Sequence, residues 1–163
     1  MKKQNQKKSF FMWWIISIGA IAGIAFLIAT SQNSHTSSKT SREVALTCTT
    51  EMATKFHIHP TLEIDINGKS IPIPASIGIA NGCMNPLHTH DDGGLIHVES
   101  PEKRDFTLGD IFAVWKKPFT KNQIFDYKAD FTHTIHVKVN DKEVDTYENT
   151  VVHDNDRIVI FMN

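Results

Sequence analysis

Residues 10–29 read FFMWWIISIGAIAGIAFLIA, twenty positions without a single charge. A helix of that length rises about 30 Å, the thickness of a bilayer's hydrocarbon core, so the run constrains the chain before anything else does. Trp13 and Trp14 sit near its start, where amphipathic rings favour the membrane interface. Lys2, Lys3, Lys7 and Lys8 precede it with no acid among them, and the nearest basic residues after it are Lys39 and Arg42. The positive-inside rule then puts the N-terminus in the cytoplasm and the remainder outside, as in a single-pass protein of the cell membrane. A cleaved signal peptide is the competing reading, with Ala29-Thr30-Ser31 as the small-residue cut. The apolar run exceeds the roughly 7–15 residues of a signal-peptide core, which favours an uncleaved signal anchor.

The organisation expected is a basic cytoplasmic tail over residues 1–9, a transmembrane signal anchor over 10–29 and a flexible linker over 30–43. An extracytoplasmic domain then fills 44–163. The linker is rich in Ser, Thr, Asn and Gln and nearly free of apolar residues, so it cannot bury enough surface to offset chain entropy. His35 belongs to that tether and is not read as a ligand. Beyond the anchor there are 13 basic and 18 acidic residues, a net charge of −5, although the whole chain of 163 residues stands at −1. An acidic body lacks the basic stripe that neutralises phosphates, which argues against a nucleic-acid partner. The bilayer itself, through residues 10–29, is the one macromolecular partner the sequence names.

Cys48 and Cys83 are the only cysteines. Outside the membrane they are candidates for a disulfide, closing a loop that is worth about 4 kcal/mol in the chain-entropy model. The rival reading makes Cys83, beside Met84 and five residues before a histidine pair, a soft metal ligand. Spacing alone leaves both open.

The domain reads as short alternating runs punctuated by turn residues. From Phe56 to Ile66 the alternation is strict: Phe56, Ile58, Leu62, Ile64 and Ile66 on one face, His57, His59, Thr61, Glu63 and Asp65 on the other. Asn67-Gly68 follows, a strong signal for a two-residue hairpin that sets Ile64 opposite Ile71 and Leu62 opposite Ile73. Pro72 and Pro74 deprive the return strand of two donors, which makes it an edge. A second hairpin over Leu87–Ser100 sets His88 opposite His97 if its turn falls at Asp92-Gly93, and His90 opposite His97 if at Gly93-Gly94. Either register keeps His88, His90 and His97 on one face, because strand side chains alternate with period two.

Phe106–Trp115 carries a helical stripe at Leu108, Ile111, Phe112 and Trp115, with Thr107 as N-cap, Asp110 in the first turn and Pro118 as the stop. A strand over His133–Val139 turns near Asn140-Asp141 into Glu143-Val144, and the chain closes on a C-terminal strand. The fold class predicted is α+β, a strand-rich single domain of β-grasp-like type behind one N-terminal transmembrane helix.

Nine histidines in one chain are the compositional clue to chemistry. His-x-His on a strand points two imidazoles the same way about 7 Å apart, so a third ligand from a neighbouring strand completes an ion site. His88 and His90, completed by His97, form the core candidate, and His57 and His59 are candidate partners or a second site. Nitrogen-rich ligation suits copper or zinc over a hard cation, and Cys83 with Met84 tilts the choice towards copper. Asp91, Asp92 and Glu99 are close enough in sequence to orient the rings or act as a base. The opposing reading is that such histidines are merely solvated on a polar face, which is how His133, His136 and His153 are read. Gly82-x5-His88-x-His90 matches the first half of a cupin metal motif, without the glutamate and glycine that should follow. Serine-hydrolase, P-loop and dinucleotide fingerprints and a C-x-x-C pair are absent.

The strings Leu87-His-Thr-His-Asp91, Gly94-Leu-Ile-His-Val-Glu-Ser-Pro101 and Phe106-Thr-Leu-Gly109 carry a resemblance, together with His57-Ile-His59 and Ile71-Pro-Ile-Pro74 upstream. Over residues 56–119 the chain is similar to a family of uncharacterised membrane-anchored extracytoplasmic proteins of bacteria and archaea. That resemblance implies an anchored architecture and a histidine-rich site, and no particular reaction. Three functional classes follow: a metal carrier or sensor at the membrane surface, a metal-dependent enzyme with an open three-histidine site, or a metal-free interaction module.

Overall fold

Burial alternates from Ile58 to Ile66 without losing phase: Ile58, Pro60, Leu62, Ile64 and Ile66 are buried, and the residues between them are half-buried or exposed. This is the face assignment the sequence predicts, with one correction. The run is not one strand. It divides at His59-Pro60 into β1 (Phe56–Ile58) and β2 (Thr61–Ile66), which belong to different sheets. Proline has no N–H for a ladder bond. The backbone on either side finds other partners: the His59 amide donates to Asp154 Oδ1 at 2.9 Å, and the Pro60 carbonyl accepts from Ile96 at 2.9 Å.

The structure is a computed structural model that describes residues 38–51 and 54–163. The basic tail, the anchor over 10–29, His35 and most of the linker lie outside the described residues. Among the described residues no helix is long and apolar enough to cross a membrane. The folded unit begins at Lys39, earlier than the linker boundary read from sequence. Thr40 and Glu43 form a reciprocal capping box on the helix Ser41–Ala45. Arg42 then pairs with the buried Asp110 at 2.7 Å and donates to the Gly109 carbonyl at 2.7 Å. A polar stretch can therefore join a fold through caps and ion pairs without burying apolar surface, and composition alone does not register that.

Asn67 and Gly68 both adopt positive φ, 55° and 74°, as a primed hairpin turn demands. They join β2 to β3 (Lys69–Ser70) with Asp65 facing Ser70, and the Ile71 amide reaches the Ile64 carbonyl at 2.9 Å. Four strands follow: β4 (Ile79–Ala80), β5 (Cys83–Met84), β6 (Leu87–His88) and β7 (His97–Ser100). Thr107 caps the helix Leu108–Trp115, again with a reciprocal box to Asp110, and Lys116 ends it in the left-handed region ahead of Pro118. A small sheet of β8 (Phe119–Thr120), β9 (Gln123–Ile124) and β10 (Tyr127–Lys128) precedes a second primed hairpin. That hairpin joins β11 (Ile135–Val139) to β12 (Lys142–Val144) through Asn140 and Asp141, at φ 52° and 65°.

The last strand, β13 (Arg157–Met162), enters the middle of a five-stranded sheet ordered β12-β11-β13-β2-β3, parallel to β2 and antiparallel to β11. Its buried Ile158, Ile160 and Met162 alternate with half-buried or exposed residues. β3 is the edge, as the prolines after it predict. The domain is thus strand-rich with few helices, built around one core. That core runs from Leu62 and Ile64 through Leu87 and Val98 to Phe106, Phe112 and Ile160.

Cys48 and Cys83 form a disulfide, with Cα atoms 5.5 Å apart. The thiolate-ligand reading of Cys83 is therefore corrected: its sulfur is spent on the bridge, and the segment around it clamps β5. Thr49 and Met84 exchange two backbone hydrogen bonds, and Asn85 donates from its side chain to the Ala45 carbonyl at 3.0 Å.

Candidate metal centre

A second, three-stranded sheet is ordered β1-β7-β6, with β7 central and antiparallel to both neighbours. Its register pairs His57 with Glu99 and Ile58 with Val98 on one side of β7, and Leu87 with Val98 and His88 with His97 on the other. Period-two alternation then gives the sheet two chemically opposite faces. Ile58, Val98 and Leu87 enter the core, while His57, His88, His97 and Glu99 share the other face. His59, two residues beyond His57, comes level with His97. His90 reaches back from the end of β6 so that its ring centroid lies 4.7 Å from that of His97.

All five histidines singled out in the sequence therefore converge. Their ligand atoms form two groups, His57/His59/His97 and His88/His90/His97, each with every atom within 4.8 Å of the others. His97 belongs to both. Its ring lies 4.8 Å from that of His59 and 5.3 Å from that of His88. Of the two registers expected for this hairpin the first is present, with His88 opposite His97. The connection, however, is not the two-residue turn that register implies, because Thr89 to Ile96 form a longer loop.

That loop is held by its buried face. Thr89 is wholly buried; its hydroxyl accepts from the Ile77 amide at 3.0 Å and donates to the Pro74 carbonyl at 2.9 Å. Gly94, at φ +75°, brings its carbonyl to the Leu62 amide at 2.9 Å, and a Cβ there would lie 2.3 Å from the Leu62 oxygen. A side chain at 94 would therefore collide with the β2 backbone at Leu62.

His88 is 1% exposed. Its Nδ1 donates to the Asn85 carbonyl at 3.0 Å, which fixes the tautomer and leaves the Nε2 lone pair facing His90 Nε2 at 3.2 Å. Burial, above all, pushes the His88 imidazole below its ordinary range, with the neighbouring rings adding to the effect against the opposing pull of Asn85 and Glu99. His97 is pushed the same way, first by burial and then by His90 and His59. Both rings are thereby neutral donors at neutral pH. His97 Nδ1 is buried with no hydrogen-bond partner, an arrangement that native interiors rarely tolerate.

Glu99 is the single carboxylate drawn into the cluster from the three read as neighbours in sequence. Its Oε1 lies 3.3 Å from His57 Nε2 and 4.0 Å from His88 Nε2, and its Oε2 accepts from Thr54 Oγ1 at 3.2 Å. Asp91 instead accepts from the Gly93 amide in the turn. Asp92 lines a separate groove of about 310 Å³ beside Ile71 and Gly93. The later histidines pair with carboxylates outside the cluster: His133 with Asp130, His136 with Glu143 and His153 with Asp156.

Three positioning residues escape sequence reasoning. Asn85 acts through its carbonyl, which any residue type supplies. Asp154 holds the His59 amide from a turn 95 positions away. Thr54 meets Glu99 across 45 positions. The HDND string around Asp154 is turn-like, but nothing local in it points to His59. No known protein family, curated protein or solved structure matches this chain.

Proposed function

We propose that this chain is a membrane-tethered, extracytoplasmic metal-binding protein that holds copper or zinc on its histidine face, as a carrier or sensor. The observation that carries this reading is the convergence of five imidazoles on one face of a three-stranded sheet, with ring nitrogens within ligand distance of one another. The donor set fits a borderline or soft cation: it is nitrogen-rich, two of its members are neutral through burial, and one carries a buried nitrogen without a partner. His88, His90 and His97 are the core ligands and His57 and His59 the adjoining ones. The Asn85 carbonyl accepts from His88 Nδ1 and Glu99 lies beside His57 Nε2, contacts of the kind that orient ligating imidazoles.

A bridged Cys48–Cys83 pair suits the oxidising side of a membrane, which agrees with the orientation read from the lysines before residue 10. The hairpin, helix, hairpin and centrally inserted parallel last strand support the β-grasp-like reading of the domain.

The test is elemental analysis of the untagged full chain, purified in detergent without chelator, beside His88→Ala/His90→Ala. Copper or zinc at close to whole-number stoichiometry, reduced in the variant, is the expected result. No metal in the wild-type chain, even after exposure to Cu⁺, Cu²⁺ and Zn²⁺, would overturn the reading.

A further inference from the structure

The five imidazoles do not close around a single point. β7 stands between two half-sites: His57 and His59 come from β1 and the residue after it, on one side, and His88 and His90 from β6 and the loop after it, on the other. Strands lie about 4.8 Å apart, so β1 and β6 are separated by roughly 10 Å at the backbone. Along the strand direction, His57 is level with Glu99 and His59 with His97, while His90 lies beyond the rung that His88 shares with His97. His57 and His90 thus start from opposite corners of the sheet, and they share no three-ligand group; each group closes only through His97.

Two adjacent cations repel, so a two-ion centre needs an anion within it. Glu99 is that group. It stands on the same face of the central strand as His97, its side chain is 16% exposed, and one oxygen addresses both half-sites, at 3.3 Å from His57 Nε2 and 4.0 Å from His88 Nε2. Its other oxygen is held by Thr54. The buried, unpartnered Nδ1 of His97 is the second independent observation. An imidazole that serves two ions uses both ring nitrogens and gives up its N–H proton to solvent, adding a second negative charge at the junction.

Building on the metal-binding reading above, we propose that the cluster is a two-ion centre, in which His57/His59 and His88/His90 each hold one ion, His97 is shared and Glu99 is the anionic bridge. The fold thereby offers two dissimilar half-sites, one exposed at His57 and one buried at His88. That arrangement suits a protein which takes up an ion at an open edge and keeps another inside.

The experiment is a Cu²⁺ titration of the metal-stripped, untagged full chain in detergent, with bound copper counted after gel filtration and folding checked by far-UV circular dichroism. Two ions per chain are expected for wild type, one for His57→Ala/His59→Ala, and one for His88→Ala/His90→Ala. His97→Ala should weaken both ions, and Glu99→Gln should weaken the second at least tenfold. One ion per wild-type chain, or two ions both unaffected by His97→Ala, would overturn the two-ion centre while leaving the metal-binding reading intact. No bound ion of any kind would overturn both. Because His57 lies on the exposed side of the cluster, its double variant tests the count without disturbing the core.

Discussion

Removing the shared imidazole separates a metal ligand from a packing residue. In His97→Ala the metal-free domain should keep its stability, because the lost contacts on β7 are offset by removal of a buried nitrogen that has no partner, an arrangement costing about 1–3 kcal/mol. The metal-dependent part should vanish. A ligand that binds only the folded state contributes about 2.7 kcal/mol when its free concentration is a hundred times Kd. The folded unit Lys39–Asn163 has roughly 125 residues, so its unfolding entropy is about 0.26 kcal/mol/K, and one bound ion should raise Tm by about 10 °C. Thermal unfolding followed by circular dichroism, with and without excess Zn²⁺ or Cu²⁺, reads both quantities. Wild type should show the rise, and His97→Ala should match metal-free wild type within a few degrees under both conditions. An undiminished metal-induced rise in the variant would refute the reasoning, since both three-ligand groups run through His97.

Four further outcomes are expected. Cys48→Ser/Cys83→Ser should lose about 4 kcal/mol of stability by denaturant titration, the loop-closure value for a bridge spanning 35 positions. Gly94→Ala should lose about 1–3 kcal/mol by the same assay, because it forces a positive φ on a residue with a Cβ and drives that atom against the Leu62 carbonyl. Thr89→Val should lose about 1–3 kcal/mol, since the Ile77 amide and Pro74 carbonyl then lack their buried partner. The metal-free protein should also lose stability on acidification through its histidines. Burial holds the folded-state values of His88 and His97 below the ordinary histidine range, so their contribution is present above the unfolded value near pH 6.5 and lost as pH falls below it. Comparing wild type with His88→Gln at pH 7.5 and pH 5.5 measures this, and an equal fall in both would contradict the assignment.

The histidine face was legible because strand side chains have a fixed period. Once Leu87–His88 and His97–Val98 pair antiparallel, an even-length connection is enough to place His88 and His97 side by side, whatever the loop does. The turns at Asn67-Gly68 and Asn140-Asp141 and the cap at Thr107 were legible for a similar reason, since each rests on a local backbone requirement that few residue types satisfy. What stayed hidden depends on distant partners. Nothing local in Pro60 says that the chain will leave one sheet there and enter another; that follows from Asp154 and Ile96 meeting the backbone around it. The place of Arg42 in the fold depends on Asp110, and the orientation of His88 on a carbonyl that carries no sequence signature.

The most direct test of the histidine centre is X-ray absorption at the metal edge of the full chain, loaded with zinc or copper. Wild type should show the outer-shell scattering of at least three imidazoles per ion, with metal–nitrogen distances of about 2.0 Å. That imidazole count should fall in His97→Ala. A first shell of oxygen alone, or an imidazole count that His97→Ala leaves unchanged, would contradict the histidine centre.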